Sequence, residues 1–169
     1  MNPEPATRIH RNAIKAWRVN ALLYGILWFA PLIIYTALAF NYNLDSSRPW
    51  YFGIDWLVFS PIALLSVICY LLTGLILPKI RWRRWKYDVS EKEVDMLRGI
   101  IIKKRTLVPI NRVQHVDTRQ GPVYRKFGLS SVTISTAATT HEIPALDDET
   151  ANDLRSTIST LVQRVKDDV

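Results

Sequence analysis

Residues 21–40, ALLYGILWFAPLIIYTALAF, and residues 56–77, WLVFSPIALLSVICYLLTGLIL, carry no charged side chain. At 1.5 Å rise per residue, the 20 residues of the first run make a helix about 30 Å long, the thickness of a bilayer's hydrocarbon core. Ten of them are Leu, Ile or Phe, each favouring insertion at central depth by about 0.3 to 0.6 kcal/mol, so the sum outweighs the backbone disturbance at Pro31. Pro31 is expected to bend the helix and not to expel it. The second run has Pro61 near its start, Ser66, Thr73 and Gly74 as small or weakly polar positions, and Cys69, the single cysteine, at its middle. A lone thiol has no partner for a disulfide and is read as packed and inert. Two transmembrane helices in a short hairpin are therefore expected.

Aromatic residues support the boundaries: Trp17 and Tyr24, then Trp50, Tyr51 and Trp56, then Trp82 and Trp85 fall near the expected headgroup levels. Asp55 stands at a boundary and reads as interfacial. The outer flanks carry Arg8, Arg11, Lys15, Arg18, Lys79, Arg81, Arg83, Arg84 and Lys86, whereas the connecting segment 41–53 carries only Arg48. By the positive-inside rule both termini are expected to be cytoplasmic. A cleaved signal peptide, with Ala37-Leu38-Ala39 as the processing site, is the other reading of the first run, and it would still leave the C-terminal region cytoplasmic. Ala21 and Gly25 stand one turn apart, a spacing that lets another helix approach closely or simply forms helix surface.

The net charge of +7 is also explained by these flanks. From Tyr87 to Val169 there are 12 Lys and Arg against 12 Asp and Glu, so the soluble region is neutral and no nucleic-acid surface is expected. The basic-aromatic stretch at Lys79, Arg81, Trp82, Arg83, Arg84, Trp85 and Lys86 reads as a membrane-interface segment, its cations among anionic headgroups and its indoles at the interface. The expected division is a basic N-terminal tail over 1–20, the hairpin over 21–77, the interfacial segment over 78–86 and a cytoplasmic domain over 87–169.

Beyond Trp85 the apolar pattern shortens to strands between turn signals: 85–89, 94–97, 100–108, 110–115, 132–136 and a last short one at 141–144, with a turn at Gln120-Gly121-Pro122. The period then changes. Ala151, Leu154, Ile158, Leu161, Val162 and Val165 form the apolar stripe of an amphipathic helix, with Asp147, Asp148 and Glu149 supplying an N-cap and favourable charge. The stripe must bury itself on the strands, which gives an α+β fold: a two-helix transmembrane hairpin followed by a small β-barrel or sheet domain capped by a C-terminal helix.

The stretches Val108-Pro109-Ile110-Asn111-Arg112-Val113-Gln114-His115-Val116-Asp117, Gln120-Gly121-Pro122-Val123-Tyr124-Arg125-Lys126-Phe127-Gly128-Leu129 and Val132-Thr133-Ile134-Ser135-Thr136 resemble the signature of bacterial pleckstrin-homology (PH) proteins of the YdbS-like family. The resemblance runs from the first span to the terminal helix. It implies a PH-like cytoplasmic domain in a multi-pass protein of the bacterial plasma membrane, and neither a reaction nor a substrate.

Gly121-Pro122 and Gly128 suit tight corners, and Arg112, Gln114 and Arg125 are long enough to satisfy backbone carbonyls where strands turn. Arg112, Arg125 and Lys126, with the triplet Lys103-Lys104-Arg105, are also the candidate ligand- or partner-binding residues of the domain. His115 and Asp117 share one side of an extended segment, but no G-x-S-x-G elbow, Gly-rich phosphate loop or metal-ligand spacing accompanies them, so no catalytic residue, metal or cofactor is expected. The leading expectation is a non-enzymatic binding or assembly module at the inner leaflet, working with membrane lipid and with a protein partner or a second copy of the chain. The rival is a small subunit of a transport, export or immunity complex.

Overall fold

The computed structural model describes residues 4–43 and 55–167, which form two compact units, residues 18–77 and, as one unit, the residues up to Trp17 with those from Pro78 onward. The aromatic and basic residues expected on the connecting segment, Arg48, Trp50 and Tyr51, lie outside the described residues.

The first unit lies within two apolar helices, whose outer ends belong to the second unit. One runs through α1 (Ala13–Gly25), a 3-10 turn at Ile26–Phe29 and α2 (Ala30–Asn43). The tightened turn sits immediately before Pro31, whose ring and missing N–H disturb the preceding turn. The other runs through α3 (Trp56–Leu71), a π-helical stretch at Leu72–Ile76 and α4 (Leu77–Arg84). Asp55 caps α3, its carboxylate accepting from the Leu57 N–H at 2.9 Å. Of the Ala21 and Gly25 pair, Gly25 lies inside the hairpin: it is buried, and a Cβ there would stand 2.9 Å from the Tyr70 ring. Phe29 packs on the same tyrosine at 5.5 Å between ring centroids. Most of the Leu, Ile, Phe and Trp side chains of both helices point outward, unburied by protein. A water-soluble protein would cover such helices, so both have the length and the apolar surface of membrane spans.

The second unit holds two antiparallel sheets. The first, in order β1-β2-β3-β4, contains β1 (Thr7–Arg8), β2 (Lys86–Val89), β3 (Glu93–Arg98) and β4 (Lys104–Pro109). A 3-10 turn at Ile110–Arg112 leads into the second sheet, β5 (Val113–Arg119), β6 (Leu129–Thr136) and β7 (Thr140–Asp147), with α5 (Pro122–Lys126) between its first two strands. The C-terminal helix α6 (Asp148–Asp167) lies on β5, β6, β7 and the 3-10 turn. Ala151 and Ile158 are buried there against a core that includes Leu129, Val132, Ile134, Ile143 and Leu146. Asp147 accepts from both the N–H and the hydroxyl of Thr150, at 3.1 and 2.9 Å, which closes the first turn of α6. Sheets capped by one terminal helix are the α+β plan expected from the sequence.

Three local expectations are corrected. The stretch 100–108 is not strand throughout, because Gly99 adopts φ +120° and starts a loop that delays β4 to Lys104. Gly121-Pro122 opens the short α5, with Pro122 in its first turn where no intrahelical N–H is needed. The N-terminal residues do not form a tail separate from the domain: β1 pairs with β2, and Ile9, Ala13, Ala16 and Trp17 enter the core. An apolar residue at every third or fourth position of 9–17 has a face to bury, and the basic residues between them concealed it.

Candidate functional site

Six cationic side chains from β1, α4, β2 and the β3–β4 hairpin meet around a cavity of about 410 Å³. Arg8 comes from β1, Arg83 and Arg84 from the last turn of α4, Lys86 from the start of β2, and Arg98 and Lys103 from the end of β3 and the loop that follows. Leu97 and Glu4 complete the wall.

Strand register explains the convergence. Arg8 lies directly opposite Lys86, and Lys86 directly opposite Leu97, while the next step of the hairpin sets Arg98 opposite Lys104. Like charges directly opposite on neighbouring strands destabilise a sheet, yet two such pairs occur in this one. Glu4 offsets part of the repulsion: its carboxylate lies 3.2 Å from the Lys86 ammonium and 3.9 Å from that of Lys103. The hydrogen bond and charge of Lys86, followed by the charge of Lys103, hold the Glu4 carboxyl below its ordinary pKa. One carboxylate against six cations leaves a strongly positive concavity, suited to an anion with several oxygens, such as a phosphate.

The structure distributes the basic-aromatic segment between two roles. Lys79 is exposed on α4, and Arg83, Arg84 and Lys86 reach the cationic cavity. Trp85 is only 4% exposed and belongs to the domain core, so it does not serve as an interfacial anchor. Trp82 is half-buried, donates its indole N–H to the Ile9 carbonyl at 3.0 Å and lies under the Arg8 guanidinium at 5.7 Å. The Arg81 guanidinium stacks 4.3 Å from the Trp17 ring, whose own N–H donates to the Tyr124 hydroxyl at 3.0 Å. Burial pushes the Tyr124 phenol up despite that bond. These tryptophans join the N-terminal segment to the sheet, burying the apolar surface that the segment provides.

Within the basic triplet, Lys103 reaches the cationic cavity and Lys104 faces Arg98 across the hairpin. Arg105 instead holds Asp95, with nitrogen-to-oxygen distances of 2.6 and 2.9 Å. The hydrogen bond it donates to Asp95 is the main reason its guanidinium is held above the ordinary value. Arg125 and Lys126 are exposed in the last turn of α5 and are not among the residues lining that cavity. Arg112 and Gln114 are exposed as well, and it is Gln120 that satisfies a turn carbonyl, donating to Leu129 O at 3.1 Å.

Arg112 lies on a larger groove of about 1020 Å³ between the β4–β5 corner and the β6–β7 hairpin, together with His115 and His141. The groove is broad and has a single Arg or Lys on its walls, so its size is not matched by a concentration of charge. His115 and Asp117 are both exposed on β5. Among the described residues no three His, Cys, Asp or Glu side chains gather as metal ligands. The cationic cavity is the stronger candidate because six residues of one sign converge there. Arg98 and Glu4 escaped the sequence reading. The available signal was the turn that Gly99 opens, which sets Arg98 against Lys104.

The Bacterial PH domain family model matches residues 11–162. The chain is 37% identical to the UPF0699 transmembrane protein YdbS of Bacillus subtilis (strain 168) over 169 residues, the whole of both chains. It is also 31% identical to the UPF0699 transmembrane protein YdbT of the same organism over 67 residues, which are 40% of this chain and 14% of that protein. No solved structure matches. The similarity to YdbS includes the N-terminal residues that β1 and α1 bring into the domain. Two apolar helices, paired antiparallel sheets, a capping C-terminal helix and a family match over most of the sequence agree: this chain belongs to the bacterial PH domain family.

Proposed function

We propose that this protein is a membrane-anchored, non-enzymatic module whose PH-like domain binds the phosphate of anionic lipid headgroups at the inner leaflet. The observation that carries the reading is the convergence of Arg8, Arg83, Arg84, Lys86, Arg98 and Lys103 on one cavity with a single carboxylate opposed. Arg83 and Arg84 follow Leu77, the last residue of the second apolar run, by six and seven positions in one continuous helix. A cation near an anionic leaflet contributes about 1 kcal/mol, and gathering several in a concave site adds selectivity for an oxyanion over a diffuse surface charge. Filling the site with an anion also relieves the like-charge pair of Arg8 and Lys86.

The test is lipid retention by the purified full-length protein, read by native mass spectrometry after exchange into mixed phosphatidylcholine and phosphatidylglycerol micelles. Selective retention of phosphatidylglycerol is expected, together with its loss in the triple variant Arg83→Gln, Arg84→Gln, Lys103→Gln. Equal retention of both lipids, or unchanged selectivity in the variant, would overturn the reading. Inorganic phosphate added in excess separates the sources of the ligand: competition assigns the site to the phosphate group itself, whereas retention insensitive to phosphate assigns it to the lipid headgroup as a whole.

A further inference from the structure

Large apolar side chains that stand in solvent are rare in the sheet-containing unit. Among the described residues they are Ile101, Ile102 and Leu107, all others being on the two apolar helices. Ile101 is 94% exposed and Ile102 81%, and they are adjacent at the tip of the β3–β4 hairpin. Isoleucine is among the residue types most often buried, and two neighbours held almost wholly in water represent an uncompensated cost for the isolated domain.

The backbone holds them there. Gly99 has φ +120°, and a Cβ at that position would fall 1.9 Å from the Ile102 carbonyl oxygen, so the loop folds tightly on itself. Ile100 lines an open pocket with Trp85 and Tyr124, while the next two residues are exposed. Cations surround the tip: Arg98 and Lys103 border the loop and line the cationic cavity, and Lys104 opens β4.

We infer that the β3–β4 tip is a membrane-inserting wedge, Ile101 and Ile102 entering the acyl region of an anionic leaflet while Arg98, Lys103 and Lys104 stay at headgroup level. An apolar point within a collar of Lys and Arg has the composition of interfacial insertion elements, and the collar's charge selects an anionic lipid surface over an apolar protein patch. This inference rests on the headgroup reading above and adds a second mode of contact to it.

The experiment uses the full-length chain with Cys69→Ala, an environment-sensitive fluorophore attached at Ile101→Cys, and reconstitution into phosphatidylcholine vesicles containing about a quarter phosphatidylglycerol. A matching probe at Gly121→Cys, an exposed position with no neighbour near its Cβ, is the aqueous reference. Strong quenching by nitroxide on the upper acyl chain, with iodide accessibility about ten-fold below the reference, is expected at position 101. Equal iodide quenching at both positions would overturn the wedge, and so would protection from iodide and nitroxide alike, which would mean that protein covers the tip. The two readings fail separately. Selective lipid retention with a water-exposed tip removes only the wedge, and an inserted tip without retention removes only the headgroup site.

Discussion

Trp85 illustrates how a residue's surroundings override the meaning of its sequence context. Beside Arg83, Arg84 and Lys86 it reads as an interfacial indole, but it is 4% exposed within the sheet core. Trp85→Ala should therefore lower the stability of the full-length protein in detergent by about 3 to 5 kcal/mol, measured by denaturant unfolding, whereas an interfacial anchor would leave the transition unmoved. Asp147 is the other residue with a decisive position. Burial alone would raise its carboxyl pKa, but the hydrogen bonds from Thr150 outweigh this, and the group lies below its ordinary value. A depressed carboxylate stabilises the fold above its unfolded pKa of about 4, and the contribution is lost as pH falls through the lower folded value. Asp147→Ala should cost about 1 kcal/mol near neutral pH, and the gap between variant and wild type should close progressively below about pH 4. A gap that persists undiminished in acid would refute the capping role.

Among the elements, the β3–β4 hairpin depends on one backbone conformation. Gly99→Ala places a Cβ against the Ile102 carbonyl in a region that L-residues avoid, and it should destabilise the fold by at least about 1 kcal/mol. It should also displace Lys103 from the cationic cavity and reduce selective retention of phosphatidylglycerol. Unchanged stability and retention would show that the loop tolerates another path. The strands were legible from β-branched residues and alternating apolar positions, although β6 is buried on both faces, and the terminal helix from the 3.6 period of its one buried stripe. β1 was not, since two residues are too short to show a period, and their pairing with Tyr87 and Lys86 spans nearly eighty positions of sequence.

For the whole molecule, the topology expected from the charge flanks places both termini in the cytoplasm. A C-terminal green fluorescent protein fusion should be bright and an alkaline phosphatase fusion inactive, and the reverse pattern would reject the proposed localisation. Exchanging both apolar helices for an unrelated hairpin, with residues up to Trp17 and from Pro78 retained, should leave lipid selectivity intact if the sheet unit carries the function. Loss of selectivity would favour a role for the helices themselves, as in a transport or export assembly. The sequence by itself determined the two long apolar helices, the sheets capped by a helix, and the family, because apolar runs and the burial of amphipathic faces depend on composition and period along the chain. Only the tertiary structure decided that Arg8 and Arg98 join Arg83, Arg84, Lys86 and Lys103. Long-range strand pairing decides which charges become neighbours, and no local pattern encodes a register set by residues so far apart.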